Sequence, residues 1–448
     1  MNKYSEYKDN PVPWIERIPA HWGLMRGKNL FAKMQRPVRE FDEVVTCFRD
    51  GTVTLRKNRR ISGFTESLKE IGYQGIRKGD LVIHVMDAFA GSIGVSDSDG
   101  KGTPVYSVCQ AKGNSNNQYY AMLLREMART GYIQSLYRGI RERSSDFRFE
   151  VFASQFYPVP PRTEQDQIVK FLDWKVSCIN KLISVKRRKI EELEELKRSR
   201  IGYLIMGQST NIPRRKTSIC WVKTIPAHWD EKSLIQFAEE QQIKNTGMIE
   251  DNLLSLSYGK IINKDINTTD GLLPASFEGY QIVYNGNIIL RLTDLQNDHK
   301  SLRTGIVTQT GIITSAYTCL KSRDGILSEY LQLQLHVADL CKVFYGMGGG
   351  VRQSIGFKDI RGLMIAIPPI NEQQQILNLV HRVEQPINLA INKNKEIIIT
   401  LEDLKKRLIA DVVTGKVDVR NIEIPEYEFV EEENDTVANS DNKEGPEE

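Results

Sequence analysis

The sequence predicts an α+β chain: two mixed α/β modules, each followed by a long helix, with the two helices packed antiparallel as a coiled-coil spacer about a pseudo-two-fold axis. Three observations carry that expectation. Residues 14–22 read WIERIPAHW and residues 221–229 read WVKTIPAHW, so a phrase rich in the rare residues Trp and His is nearly repeated. Pro160-Pro161-Arg162-Thr163-Glu164-Gln165 recurs as Pro368-Pro369-Ile370-Asn371-Glu372-Gln373 at almost the same offset. Each of these second markers opens a stretch with heptad spacing and no glycine for most of its length. Such spaced self-similarity is the signature of a duplicated structural unit.

Taken in order, residues 1–160 form the first module. Leu81-Val82-Ile83 follows a Gly-Asp turn and reads as a strand, and Tyr119 to Met127 has the apolar spacing of a helix. Pro158-Val159-Pro160-Pro161 closes the module in extended form. Residues 161–210 are the first spacer helix: Leu172, Ile179, Lys186, Leu193 and Arg200 occupy one heptad position, and Val176, Ile183, Ile190, Lys197 and Leu204 the other. Residues 211–368 repeat the module. Ile288-Ile289-Leu290 is its strand and Leu327 to Leu340 its helix, while Gly94 and Tyr106 find counterparts in Gly305 and Tyr317. Residues 369–415 are the second spacer helix, with Val380, Ile387, Asn394, Leu401 and Leu408 at one core position and Glu384, Ile391, Ile398, Lys405 and Val412 at the other. Pro386 is expected to divide it into a short helix and a long one starting near Ile387. The candidate helix-helix and subunit-docking residues are Leu172, Ile179, Ile183, Ile190, Leu193, Ile387, Ile391, Ile398, Leu401 and Leu408. A helix of roughly 28 residues spans about 42 Å, comparable with the ~34–36 Å after which a DNA duplex presents the same face. Residues 416–448 read as an acidic, disordered tail.

Composition narrows the function. No apolar run is long enough to cross a bilayer and the N-terminus has no apolar signal region, so a cytoplasmic protein away from membranes is expected. Six cysteines stand singly, without metal-ligand spacing. The net charge is +4, but from Asn421 onward eleven Asp or Glu face one Lys, so the other 420 residues carry +14. A basic body suits a phosphate-bearing partner. Its basic residues cluster in loop-like stretches: Arg56, Lys57, Arg59 and Arg60; Arg141, Arg143 and Arg148; Lys260, Lys264, Lys300 and Arg303; and, after a triple glycine, Arg352 and Gln353. These are the candidate DNA-binding residues, since Arg and Gln can pair with base edges and Lys positions on phosphate. Any one of them could equally be a solvated surface charge.

Motifs for catalysis are missing. Gly94 to Lys101 is a P-loop near miss with Gly102 where Ser or Thr should bind magnesium. Gly346-Met347-Gly348 lacks the third glycine of a dinucleotide loop. No methyltransferase Asn-Pro-Pro-aromatic box, zincin motif or nucleophile elbow is present. His21 and His228 read as packing or hydrogen-bonding residues, because no acid partner is evident at a fixed spacing. No catalytic or metal-ligating residue is therefore expected.

The Ile-Pro-x-x-Trp openings, the Pro-Pro-x-x-Glu-Gln helix starts and the closing Thr414-Gly415-Lys416-Val417-Asp418-Val419-Arg420 resemble the specificity subunits of type I restriction-modification systems, over residues 14–420. The first helix departs from that closing pattern at Met206-Gly207-Gln208. The resemblance implies a non-catalytic, sequence-specific DNA reader, each module being a target-recognition domain for one half of a bipartite, asymmetric site. It implies double-stranded DNA, two modification (methyltransferase) subunits and restriction (translocase/endonuclease) subunits as partners. S-adenosylmethionine, ATP and magnesium would sit in those partners, with no cofactor in this chain. The alternatives are a self-contained DNA methyltransferase or nuclease with unrecognised motifs, and a coiled-coil adaptor that never touches DNA.

Overall fold

The computed structural model describes residues 2–59, 71–136, 147–208, 212–266, 274, 276–295, 298, 301–347 and 354–431. The chain divides into two compact units, and the division does not follow the sequence halves. One unit joins Met1–Lys186 to Glu396–Glu433; the other holds Arg187–Lys395.

In the first unit a four-stranded antiparallel sheet runs in the order β1 (Phe31–Lys33), β4 (Tyr106–Ala111), β2 (Leu81–His84), β3 (Ile93–Val95). Val108 faces Val82 and Ile83 faces Ile93 across it. Helix α1 (Asn117–Arg129) covers this sheet, capped by the Asn116 side chain, which accepts from the Gln118 and Tyr119 N–H groups. The second unit uses the same order: β5 (Ala238–Glu240), β8 (Thr318–Ser322), β6 (Ile288–Leu290), β7 (Thr304–Ile306), with α3 (Ser328–Leu340). The expected strands at residues 81–83 and 288–290 and the two module helices are all present. Each module closes on a short ribbon that leads into its Pro-Pro pair: Phe156–Val159 pairs with Gly23–Arg26, and Met364–Ile367 with Asp230–Ser233.

The long helices exceed expectation. Helix α2 (Arg162–Ile205) and helix α4 (Ile370–Val413) have 44 residues each, about 66 Å at 1.5 Å per residue. Pro386 does not divide α4, which runs through it. The missing N–H and the ring clash cost about 3 kcal/mol in a helix interior. Val380 and Ile391, buried on either side, supply the packing that offsets this. Within the first unit the start of α2 lies beside the end of α4. Leu172, Ile179 and Ile183 share a core with Leu408 and Val412, Ile398 and Leu401 lie at its edge, and Lys405 Nζ donates to Asn180 Oδ1 at 3.3 Å. In the second unit the end of α2 lies beside the start of α4, and Lys197 Nζ donates to Asn388 Oδ1 at 3.1 Å. Ile190, Leu193 and Ile387 are half-buried there and Ile391 is buried. The heptad residues therefore serve packing inside each unit.

The repeated phrase is a joint, and it corrects one expectation. An acid partner does recur. His21 Nε2 lies 2.8 Å from Glu164 Oε2, and Trp22 Nε1–H donates to Glu164 Oε1 at 3.0 Å. His228 and Trp229 meet Glu372 at the same two distances. The next residue in each marker works too: Gln165 bonds the Pro160 carbonyl and the Asn116 N–H, and Gln373 bonds the Pro368 carbonyl and the Leu327 N–H. Each phrase also receives the end of the other helix. A methyl group at Gly415 would lie 2.5 Å from Pro19 and 2.8 Å from Trp22; one at Gly207 would lie 2.7 Å from Pro226 and Trp229. Both glycines have left-handed backbone, φ 78° and 62°, so conformation and space both require glycine there.

The segment after Gly415 is not a free tail. Val419 is fully buried, and Val417, Ile422 and Ile424 pack on the first unit's core. Gln167 donates to the Val419 and Ile422 carbonyls, and Ser177 and Asn180 hold the backbone of Glu428 and Val430. Apolar residues spaced through the first part of this acidic stretch tie it down; residues 432–448 lie outside the described residues.

Candidate nucleic-acid interface

Most of the described basic candidates fall on one element, found in both modules. In the first, Val45–Cys47 pairs with Val53–Leu55, and a 3₁₀ turn at Arg56–Asn58 follows. In the second, Leu254–Ser257 pairs with Lys260–Asn263. The two hairpins are seated alike, each by a parallel bridge from the residue just before its first strand, Val44 to Lys101 and Leu253 to Ile312. Two glycines in each module make room. A methyl group at Gly94 would lie 1.9 Å from the Gly51 carbonyl oxygen, and one at Gly305 would lie 2.7 Å from Leu256. At Gly100 it would meet the Glu43 carbonyl oxygen at 2.4 Å, and at Gly311 the Asn252 carbonyl oxygen at 2.5 Å. Any side chain there would lift the hairpin off the sheet.

The hairpins differ in what they present. On the first, Arg56 Nε donates to Thr46 Oγ1 at 3.3 Å, Lys57 pairs with Glu43 at 2.5 Å, and Arg59 pairs with Asp50 at 2.6 Å while lying over the Phe48 ring. Burial pushes the Asp50 carboxyl up, but the Thr52 N–H and the Arg59 guanidinium outweigh it and hold it below the usual carboxylate range. Arg49, at the tip, pairs with Asp87 at 3.1 Å. Arg49 and Arg59 are thus fixed by carboxylates and Arg56 by a hydroxyl, which orient them at little cost in later ordering. On the second hairpin Lys260 and Lys264 are both exposed. Arg148 is exposed on the other side of the first module's sequence, ahead of the short helix Phe149–Ser154.

Arg303 does not belong to this surface. Its side chain is fully buried and donates to the carbonyls of Arg291, Thr293, Asp294 and Asp298 and to the Tyr345 hydroxyl. A guanidinium with five donors satisfies a cluster of inward-facing carbonyls better than any other side chain, which is why a charge sits in this core. Arg60, Arg141, Arg143, Lys300, Arg352 and Gln353 lie outside the described residues. Sequence reasoning missed Ser255, Ser257 and Tyr258 on the second hairpin. The alternation Leu254-Ser255-Leu256-Ser257, followed by Tyr258-Gly259, is the signal of a two-residue hairpin loop.

No helix among the described residues is long and apolar enough to cross a membrane. Residues 276–401 match the family described as the type I restriction modification DNA specificity domain. Among solved structures, the chain is similar to one from work on complex assembly and conformational transition of the type I R-M system. That match has TM-score 0.64 and 14% identity, and covers 89% of this chain and 99% of that one. At that identity it shows a shared fold. The HsdS subunit from Thermoanaerobacter tengcongensis superposes at TM-score 0.46 and 14% identity, covering 89% of this chain and 98% of its own. The S subunit of a type I restriction-modification system from M. genitalium superposes at 0.34 and 12%, covering 92% and 99%.

Proposed function

We propose that this chain, whose residues 276–401 match the type I restriction modification DNA specificity domain, is a reader of bipartite, asymmetric DNA with no chemistry of its own. One observation carries the reading: the two modules seat the same hairpin on the same glycine framework, yet load it with different side chains. Like scaffolds with unlike faces suit two half-sites of different sequence. Lysines at the hairpins supply salt-dependent phosphate affinity, while shorter polar groups choose among bases.

In this reading the chain is a tandem repeat whose long helices form an antiparallel coiled-coil spacer that fixes the gap between half-sites. They also dock two modification subunits, and the restriction subunits join that assembly. S-adenosylmethionine, ATP and magnesium act in those partners, and the whole works in the cytoplasm. The recurrence of the Trp-Glu joint and of the Lys-Asn bond supports the symmetry. The experiment uses the full chain with its methyltransferase partner and duplexes of random sequence. Enrichment of one split motif is expected, with methylated adenine in each half. Turnover by the purified chain alone, with magnesium or S-adenosylmethionine, would contradict the proposal.

A further inference from the structure

The second hairpin carries a residue its backbone does not favour. Ser257 stands opposite Lys260, which leaves Tyr258-Gly259 as the loop. Both have left-handed backbone, φ 46° and 75°. Two positive φ values in a two-residue loop define a type I′ turn, whose first position belongs to Asn, Asp or Gly. A bulky aromatic there is an outlier. It is not compensated by packing: Tyr258 is 77% exposed, and among the described residues its side chain has no hydrogen-bond or ring partner. Strain kept at an exposed tip, with nothing among the described residues to offset it, points to something outside.

The surroundings say what. The hairpin's inner face is apolar, with Leu254 and Leu256 buried and Ile261 against Gly305. Its outer face pairs Ser255 with Ile262 and Ser257 with Lys260. That is a thin two-stranded ribbon with small hydroxyls, one exposed isoleucine, one ammonium and a projecting phenol, and Lys264 is exposed just beyond it. A two-stranded ribbon fits the major groove of B-DNA, ~12 Å wide. An apolar wall or an acidic partner would ask for a different face.

We propose that the 254–263 hairpin is the part of the second module that enters the groove, and that Tyr258 at its tip is a specificity-determining contact with base edges. Lys260 then lies on phosphate. The proposal rests on the DNA-reading function above and names the residue that performs it on this side.

The test uses the full chain with its methyltransferase partner and a pool of duplexes of random sequence, with the bound fraction sequenced. Tyr258→Asn places the favoured residue in the turn, so its unfolding temperature should equal or exceed that of the wild type. The proposal expects about tenfold weaker binding to the wild-type motif, with base preference lost at one to three adjacent positions of one half-site only. Lys260→Ala should weaken binding evenly across sequences and lower the salt slope by about one. A Tyr258→Asn complex that enriches the same motif with the same affinity would overturn the proposal. A wild-type complex that enriches no motif would overturn the DNA-reading function itself, and this proposal with it.

Discussion

Arg303 shows how a basic residue in a divergent module can be spent on the fold. Its guanidinium collects four backbone carbonyls and a tyrosine hydroxyl in a site with no exposure. Each buried acceptor left without a donor costs about 1–3 kcal/mol. Arg303→Ala should therefore destabilise the second unit by at least about 3 kcal/mol, seen as a lower unfolding midpoint, and Arg303→Lys should not restore it because a point ammonium lacks the fork. An unchanged midpoint with weakened DNA affinity would return Arg303 to the DNA surface. Charge on a sequence does not reveal burial, so this assignment was out of reach before the structure.

His336 makes the same unit sensitive to acid. Burial pushes its imidazole down to about 4, aided by Lys197 and Arg198, and Nδ1 lies 3.2 Å from Thr304 Oγ1. Its folded value lies below the unfolded ~6.5. Between these values the unfolded chain binds more protons, so stability falls as pH falls from about 6.5 towards 4. His336→Gln should flatten that part of the stability profile, measured by denaturant unfolding at a series of pH values. An unaltered slope would assign the acid sensitivity to other groups.

At the scale of elements, helix existence was legible and helix extent was not. The heptad spacing of Ile179, Ile183, Leu401 and Leu408 is a period, and periods survive in sequence. The ends are set by joints: Glu164 and Gln165 at one end of α2, Gly207 against Trp229 at the other. Apart from the Pro160 carbonyl, those partners lie more than twenty residues away, with Trp22 at 142 residues from Glu164, where no local pattern points. Pro386 misled for a related reason, since a local breaker was overridden by packing on both sides. If so, Pro386→Ala should raise the unfolding midpoint by the equivalent of about 1–3 kcal/mol. A neutral or destabilising result would mean that the helix needs its proline, for curvature or for a partner. The acidic segment after Gly415 was misread because its net charge hid Val419, Ile422 and Ile424, which are enough to anchor it.

Across the whole molecule, the two modules of like strand order were legible in the sequence but the division into units was not. Each module is completed by the start of its own helix and the end of the other half's helix, so neither sequence half is a structural unit. Matched residues turned out to serve the joints: Trp22 with Glu164, Trp229 with Glu372, and the two helix-ending glycines. Residues that differ gather on and beside the hairpins: Arg56, Lys57 and Arg59 follow the second strand of the first, and Ser257, Tyr258 and Lys260 stand at the turn of the second. The sequence pointed to the basic residues by type, and only the fold showed that each set lies at a hairpin seated on like glycines. The measurement that bears most directly on this division of labour exchanges residues 211–368 for the corresponding segment of a relative with a different target. The methylated motif is then read by sequencing DNA modified by the complex. The expected result is a motif in which one half-site changes while the other half-site and the gap stay the same. A motif altered in both halves, or in neither, would contradict it.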